Sequence, residues 1–145
     1  MKKIQSFIGE YSFLSNFAPI TVTWPSSSNS ILQWPTAEHA FQASKTLNHE
    51  DKLEIYKCDT PGRAKRIGRQ VELRLDWEDK KISIMRGIII SKFVGSHIAM
   101  FDLLNTGNAE LIEENHWGDC FWGVCNGKGR NELGKILMEV RGMFQ

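Results

Sequence analysis

The chain has 145 residues, 41% hydrophobic and 24% charged, with 18 basic against 17 acidic side chains and a net charge of +1. A single domain of this size buries roughly two-thirds of the surface its unfolded chain exposes. So balanced a chain carries no overall field for nucleic acid or membrane, which leaves room only for a local basic patch.

The N-terminus, MKKIQSFIGEYSF, has two lysines but no apolar run long enough for a signal peptide. The next residues contain two β-like runs, Ile20 to Trp24 and Ile31 to Trp34. The low-complexity stretch from Pro25 to Ser30 between them reads as the loop of a hairpin. Helical patterning then takes over. Thr36 caps a helix expected to run to about Leu47, and a second covers about Glu50 to Lys57. Thr60 followed by Pro61 starts a third that ends near Gly68. Asp76 is the expected cap of a longer helix whose apolar face is Trp77, Ile84, Ile88 and Phe93, ending at Val94 before Gly95. A short helix from Ile98 to Leu104 stops at Asn105-Thr106-Gly107. Short β-like runs follow at Glu110–Glu113 and Phe121–Val124, then a glycine-rich loop, NGKGRN. A last helix is expected from about Asn131 to Arg141. The pattern predicts an α+β fold, predominantly α-helical, in a single domain with a few short β-strands.

The three cysteines, Cys58, Cys120 and Cys125, are an odd number without framework spacing, which points to a reducing compartment. The longest apolar run, Gly87 to Ile90, is far too short to span a membrane. A cytoplasmic protein with no membrane partner is the expectation. No G-x-S-x-G, H-E-x-x-H or C-x-x-C occurs, and His116, Cys120 and Cys125 lack the spacing of a zinc site. The NGKGR loop lacks the glycine spacing and the Ser or Thr of a Walker loop.

Three places remain where chemistry competes with a plain structural role. Glu38, in the first turn of its helix, is either an acid/base or a carboxylate compensating the helix dipole. Lys65 lies among Arg63, Arg66 and Arg69. It is either a nucleophile activated by burial and neighbouring cations or part of a basic surface helix. The run HWGDCFWGVCNGKGRNELG gathers Trp117, Asp119 and Trp122 with five glycines. It is either a ligand site, with rings to stack on a base and amides for phosphate, or an aromatic core edge with a tight turn.

Eight segments, in order, resemble one family: FLSNFAP (13–19), WPTAEHAFQASK (34–45), PGRAKRIGR (61–69), DW (76–77), KF (92–93), LLNTG (103–107), WGDCFWG (117–123) and GRNELGKILMEVR (129–141). Together they are similar to the NADAR, or YbiA-like, family over nearly the whole chain. The resemblance implies cleavage of N-glycosidic bonds to a phosphorylated ribose. One substrate class is the phosphoribosylamino-pyrimidine intermediates of riboflavin synthesis. The other is ADP-ribosylated guanine in DNA, the work of an antitoxin with a toxin partner. It also implies catalysis by Glu38, Lys65 and Asp119, with Asn16, Trp34, Arg63, Arg69, Trp122 and Asn131 binding the ligand. Glu38 would be acid/base, Lys65 nucleophile or electrostatic stabiliser, and Asp119 a water or ribose partner. No metal or organic cofactor is expected. Ala40, Cys120 and Val124-Cys125 depart from the commonest family pattern, at positions that bear on substrate choice. A reader that binds NAD or ADP-ribose without cleaving it is the competing class.

Overall fold

The computed structural model describes residues 2–145, about half helical with a few short strands, an α+β fold. Its backbone gathers into two compact units, one made of residues 16–95 and one of residues 2–15 with 96–145.

In the unit of residues 16–95, β1 (Val22–Ser27) and β2 (Ser30–Trp34) form an antiparallel hairpin pairing Val22 with Trp34 and Ser27 with Ser30. The stretch from Pro25 to Ser30, expected as loop, is mostly strand, with an irregularity between Pro25 and Ser27. A two-stranded ribbon tolerates proline because the missing N–H can fall on an edge. Four helices follow: α1 (Ala37–Ser44), α2 (His49–Tyr56), α3 (Pro61–Gly68) and α4 (Trp77–Val94).

Local chemistry explains their starts. Thr36, Asn48 and Thr60 each accept an amide from the third residue on, and Pro61 stands where no amide bond is lost. Asp76 does not cap α4 through its side chain. Its carboxylate instead takes two bonds from the Arg74 guanidinium, at 2.6 and 3.1 Å. Helix α1 ends at Ser44, short of the expected Leu47, and every residue in it is buried. Ala37, Ala40 and Ala43 let neighbours approach closely, while Ser44 accepts from the Trp24 indole and donates to the Ala40 carbonyl. On α4 the buried face is Trp77, Met85, Ile88, Ile89, Lys92 and Phe93, with Ile84 half-buried beside it.

In the other unit, the pair Lys3–Ile4 lies parallel to Glu110–Leu111, and Glu114–Asn115 lies parallel to Val124–Cys125. Of the β-like runs that the sequence suggests, Glu110–Glu113 is strand only at Glu110–Leu111 and Phe121–Val124 only at Val124, while Lys3–Ile4 and Glu114–Asn115 are strands that the sequence does not suggest. We number these strands β3 (Lys3–Ile4), β4 (Glu110–Leu111), β5 (Glu114–Asn115) and β6 (Val124–Cys125). Helix α5 (His97–Asn105) is capped by the Ser96 hydroxyl, and α6 (Glu132–Phe144) buries Leu133, Ile136, Leu137 and Val140. Arg141, also buried, donates to the Thr106 hydroxyl and the Ala109 carbonyl, tying the end of α6 to the turn after α5. Among the described residues no single helix is long and apolar enough to cross a membrane.

Candidate active site

Helix α1 presents Glu38 and Gln42 one turn apart. Glu38 is buried, its amide donates to the Asn16 carbonyl at 3.0 Å, and its Oε1 accepts from Gln42 Nε2 at 2.7 Å. Lys45, at the end of the same helix, lies within electrostatic reach of Glu38, Lys65 and Arg69. Burial is the main cause that holds the Lys45 amine below its ordinary pKa; Glu38 opposes this, while Arg69 and Lys65 add to it. One buried carboxylate thus sits among cations drawn from two helices.

Helix α3 comes close enough for this because of Gly68. A Cβ at that position would land on the end of the Gln42 side chain. Lys65 lies one turn before Gly68, with its Nζ 5.9 Å from the centre of the Phe17 ring. Phe17 is half-exposed and follows Asn16, which is buried and directs its Nδ2 to Met85 Sδ at 3.5 Å. The Oδ1 of Asn16 and the Oε1 of Gln42 are buried without a hydrogen-bond partner.

The other expected residues fall in several settings. Arg69 is exposed at the end of α3. Arg63 is exposed on the outer flank of α3, pairs with Asp59 at 3.5 Å, and lines a shallow groove with Lys57, Cys58 and Arg66. Trp34 is a core side chain: it is 1% exposed, donates to the Trp24 carbonyl and meets Tyr56 edge-on. His39 is buried and neutral in character. Its Nε2 donates to the Cys58 carbonyl at 3.0 Å, so its Nδ1 accepts from the Thr36 hydroxyl at 2.7 Å. Burial pushes its pKa down, partly offset by the bond to Cys58.

In the unit that holds α6, Asp119 organises a turn. Its Oδ1 accepts the amides of Phe121 and Trp122, and its own amide donates to Asn115 Oδ1. Trp122 is half-buried against Phe121, edge to face at 4.8 Å. Asn131, left-handed at φ +54°, bridges backbone: Oδ1 accepts from the Glu113 amide and Nδ2 donates to the Leu111 carbonyl. The NGK segment is a hairpin turn. Cys125 and Lys128 exchange both backbone bonds across Asn126 (φ +53°) and Gly127 (φ +76°). Positive φ at both central residues makes it the type I′ turn that Asn-Gly favours. Among the described residues no three His, Cys, Asp or Glu side chains gather as a metal site.

Sequence reasoning picked out Glu38 and Lys65 but missed Lys45 and Gln42. The signal was present in the spacing: Glu38, Gln42 and Lys45 recur at four and three residues, one face of a helix.

Comparison with known proteins adds four findings. A family model described as the NADAR domain matches residues 5–145. The riboflavin biosynthesis protein VVA0006 of Vibrio vulnificus (strain YJ016) is 36% identical over 138 residues, which is 93% of this chain but 36% of that protein. The N-glycosidase YbiA of Escherichia coli (strain K12) is 38% identical over 135 residues, 91% of this chain and 81% of that one. The NMR structure of the E. coli protein YbiA superposes with a TM-score of 0.81 at 35% identity, covering 99% of this chain and 86% of that one.

Proposed function

The chain belongs to the NADAR domain family, and on that premise we propose that it is a hydrolase of N-glycosyl bonds, acting between a base and a phosphorylated ribose or ADP-ribose. The observation that carries the reading is the buried Glu38 carboxylate among Lys45, Lys65 and Arg69. Breaking a C1′–N bond needs a proton for the departing base and negative charge near a cationic sugar, and cations that hold phosphate. One carboxylate amid three cations meets these needs without a metal or organic cofactor.

In the reaction, the Glu38 carboxylate takes a proton from the Lys45 ammonium and gives it to the base nitrogen as the C1′–N bond breaks. The freed amine attacks C1′ with its lone pair; one of its protons passes to the ring oxygen as the C1′–O4′ bond opens, and water hydrolyses the resulting imine to release the sugar and restore the amine. Burial and nearby cations make Lys45 the better nucleophile, while Lys65, the amine expected from the sequence, stabilises charge and phosphate beside Arg69. Asn16 and Arg63 are further candidates for ligand contact. Asp119, whose turn uses Oδ1, and Trp122 belong to the other unit and are further candidates for ligand contact, Asp119 as a water or ribose partner. Trp34 and Asn131, whose side chains bond to the backbone of Trp24 and of Leu111 and Glu113, would act only by holding their local backbone.

Phosphoribosylamino-pyrimidines are the favoured substrate class, supported by the riboflavin biosynthesis relative. ADP-ribosylated guanine in DNA, with an antitoxin role, is the second. The test is incubation of the protein with both substrates, with and without a chelator, followed by mass analysis of products. Release of free base that Glu38→Gln abolishes supports the reading. Ligand-induced thermal stabilisation with no product from either substrate would make the protein a reader instead.

A further inference from the structure

We propose that Phe17 is the platform on which the departing base stacks, a specificity-determining role that rests on the N-glycosidase reading. The ring is 43% exposed, whereas the residues on either side of it, Asn16 and Ala18, are 8% and 7% exposed. The backbone is therefore anchored on both sides of a ring that is left facing water. Its position is fixed further by the Asn16 carbonyl, which accepts the amide of Glu38 itself. The same ring lies under Lys65 Nζ at 5.9 Å, the outer limit of a cation–π contact.

These relations set where a planar ligand would lie. A base stacked on the Phe17 ring would lie beside the Lys65 amine, on a segment whose backbone is bonded to the first turn of the Glu38 helix. Stacking is indifferent to the hydrogen-bonding pattern of a base, because every base has a π-face. Phe17 therefore selects for a planar aromatic aglycone and against an aliphatic amine, while the cations grip the phosphate. Other strongly exposed apolar residues of this unit, such as Leu47 and Leu75, are aliphatic and offer no such surface.

The test compares Phe17→Ala, Phe17→Leu and Phe17→Trp. Cleavage of a phosphoribosylamino-pyrimidine is read as kcat/KM, and ribose 5-phosphate is titrated as a product inhibitor. Phe17→Ala is expected to lower kcat/KM about ten-fold or more, in line with stacking losses on aromatic truncation. Phe17→Trp restores it, Phe17→Leu does not, and inhibition by ribose 5-phosphate is unchanged in all three. A change under two-fold in Phe17→Ala, or parallel weakening of ribose 5-phosphate, overturns the proposal. Should the wild-type protein cleave nothing, the N-glycosidase reading fails on its own. Calorimetric affinity for the intact pyrimidine nucleotide then decides on Phe17, with the same ranking expected of the variants and an equal affinity overturning it.

Discussion

Gly68 and Gln42 touch so closely that a side chain at position 68 fits only if Gln42 moves. Gln42 spends its amide on the Glu38 carboxylate at 2.7 Å, so the glycine holds the carboxylate at one remove. Gly68→Ala is therefore expected to displace Gln42 and cost about 1–3 kcal/mol as an overpacked site. Turnover should fall further than stability explains, because Glu38 loses its donor. Denaturant midpoints beside kcat check this; wild-type kcat in a folded Gly68→Ala protein would contradict it.

The two amines should separate by trapping. With substrate and borohydride, a covalent adduct is expected on Lys45, retained in Lys65→Ala and lost in Lys45→Ala, as peptide mass analysis would read. Because burial and neighbouring cations hold Lys45 below the ordinary lysine pKa, the single-turnover rate should rise with pH through a range below that ordinary value. An adduct confined to Lys65 would reverse the assignment.

His39 makes folding pH-dependent. Burial lowers its folded pKa, while the unfolded chain keeps the ordinary value of about 6.5. Above that value both states are neutral and the contribution is complete. As pH falls through about 6.5 and on toward the lowered folded value, the unfolded state takes up a proton that the folded state resists, and stability declines. Urea midpoints should drop over this window in the wild type and more shallowly in His39→Gln. Identical profiles for the two would remove His39 as the cause.

The Asn126-Gly127 turn gives a stability prediction away from the proposed chemistry. Gly127 sits at φ +76° with open space where a Cβ would project. Gly127→Ala should thus cost only the left-handed backbone penalty, about 1–2 kcal/mol, and leave kcat/KM unchanged. Thermal unfolding and steady-state kinetics measure the two effects separately.

How much of this was legible depended on range. The caps at Thr36 and Thr60-Pro61 are local, and both helices start where the sequence says. Glu38 was visible because it sits beside such a cap. Lys45 was not: a lysine ending a helix reads as dipole compensation, and only the packing of α3 on α1 across Gly68 surrounds it with charge. Trp34 ends a β-like run before a helix, a place that suits a ligand contact or the core equally well. Its indole bond to Trp24 depends on strand register, which periodicity does not report. The turn of Pro25 to Ser30 was misjudged because composition favours a loop, whereas cross-strand pairing carries the strand on to Ser27.

Strand pairing and the direction of synthesis together set an order of folding. Lys3 and Ile4 lie parallel to Glu110 and Leu111, so the first strand has no partner until the whole 16–95 unit has been synthesised. At roughly 5–20 residues per second that wait is on the order of ten seconds. Meanwhile the unit carrying Glu38, Gln42, Lys45 and Lys65 is continuous in sequence and can begin to collapse at once. The proposed catalytic carboxylate and amines would then be assembled on the nascent polypeptide before the strand Lys3–Ile4 has anything to pair with.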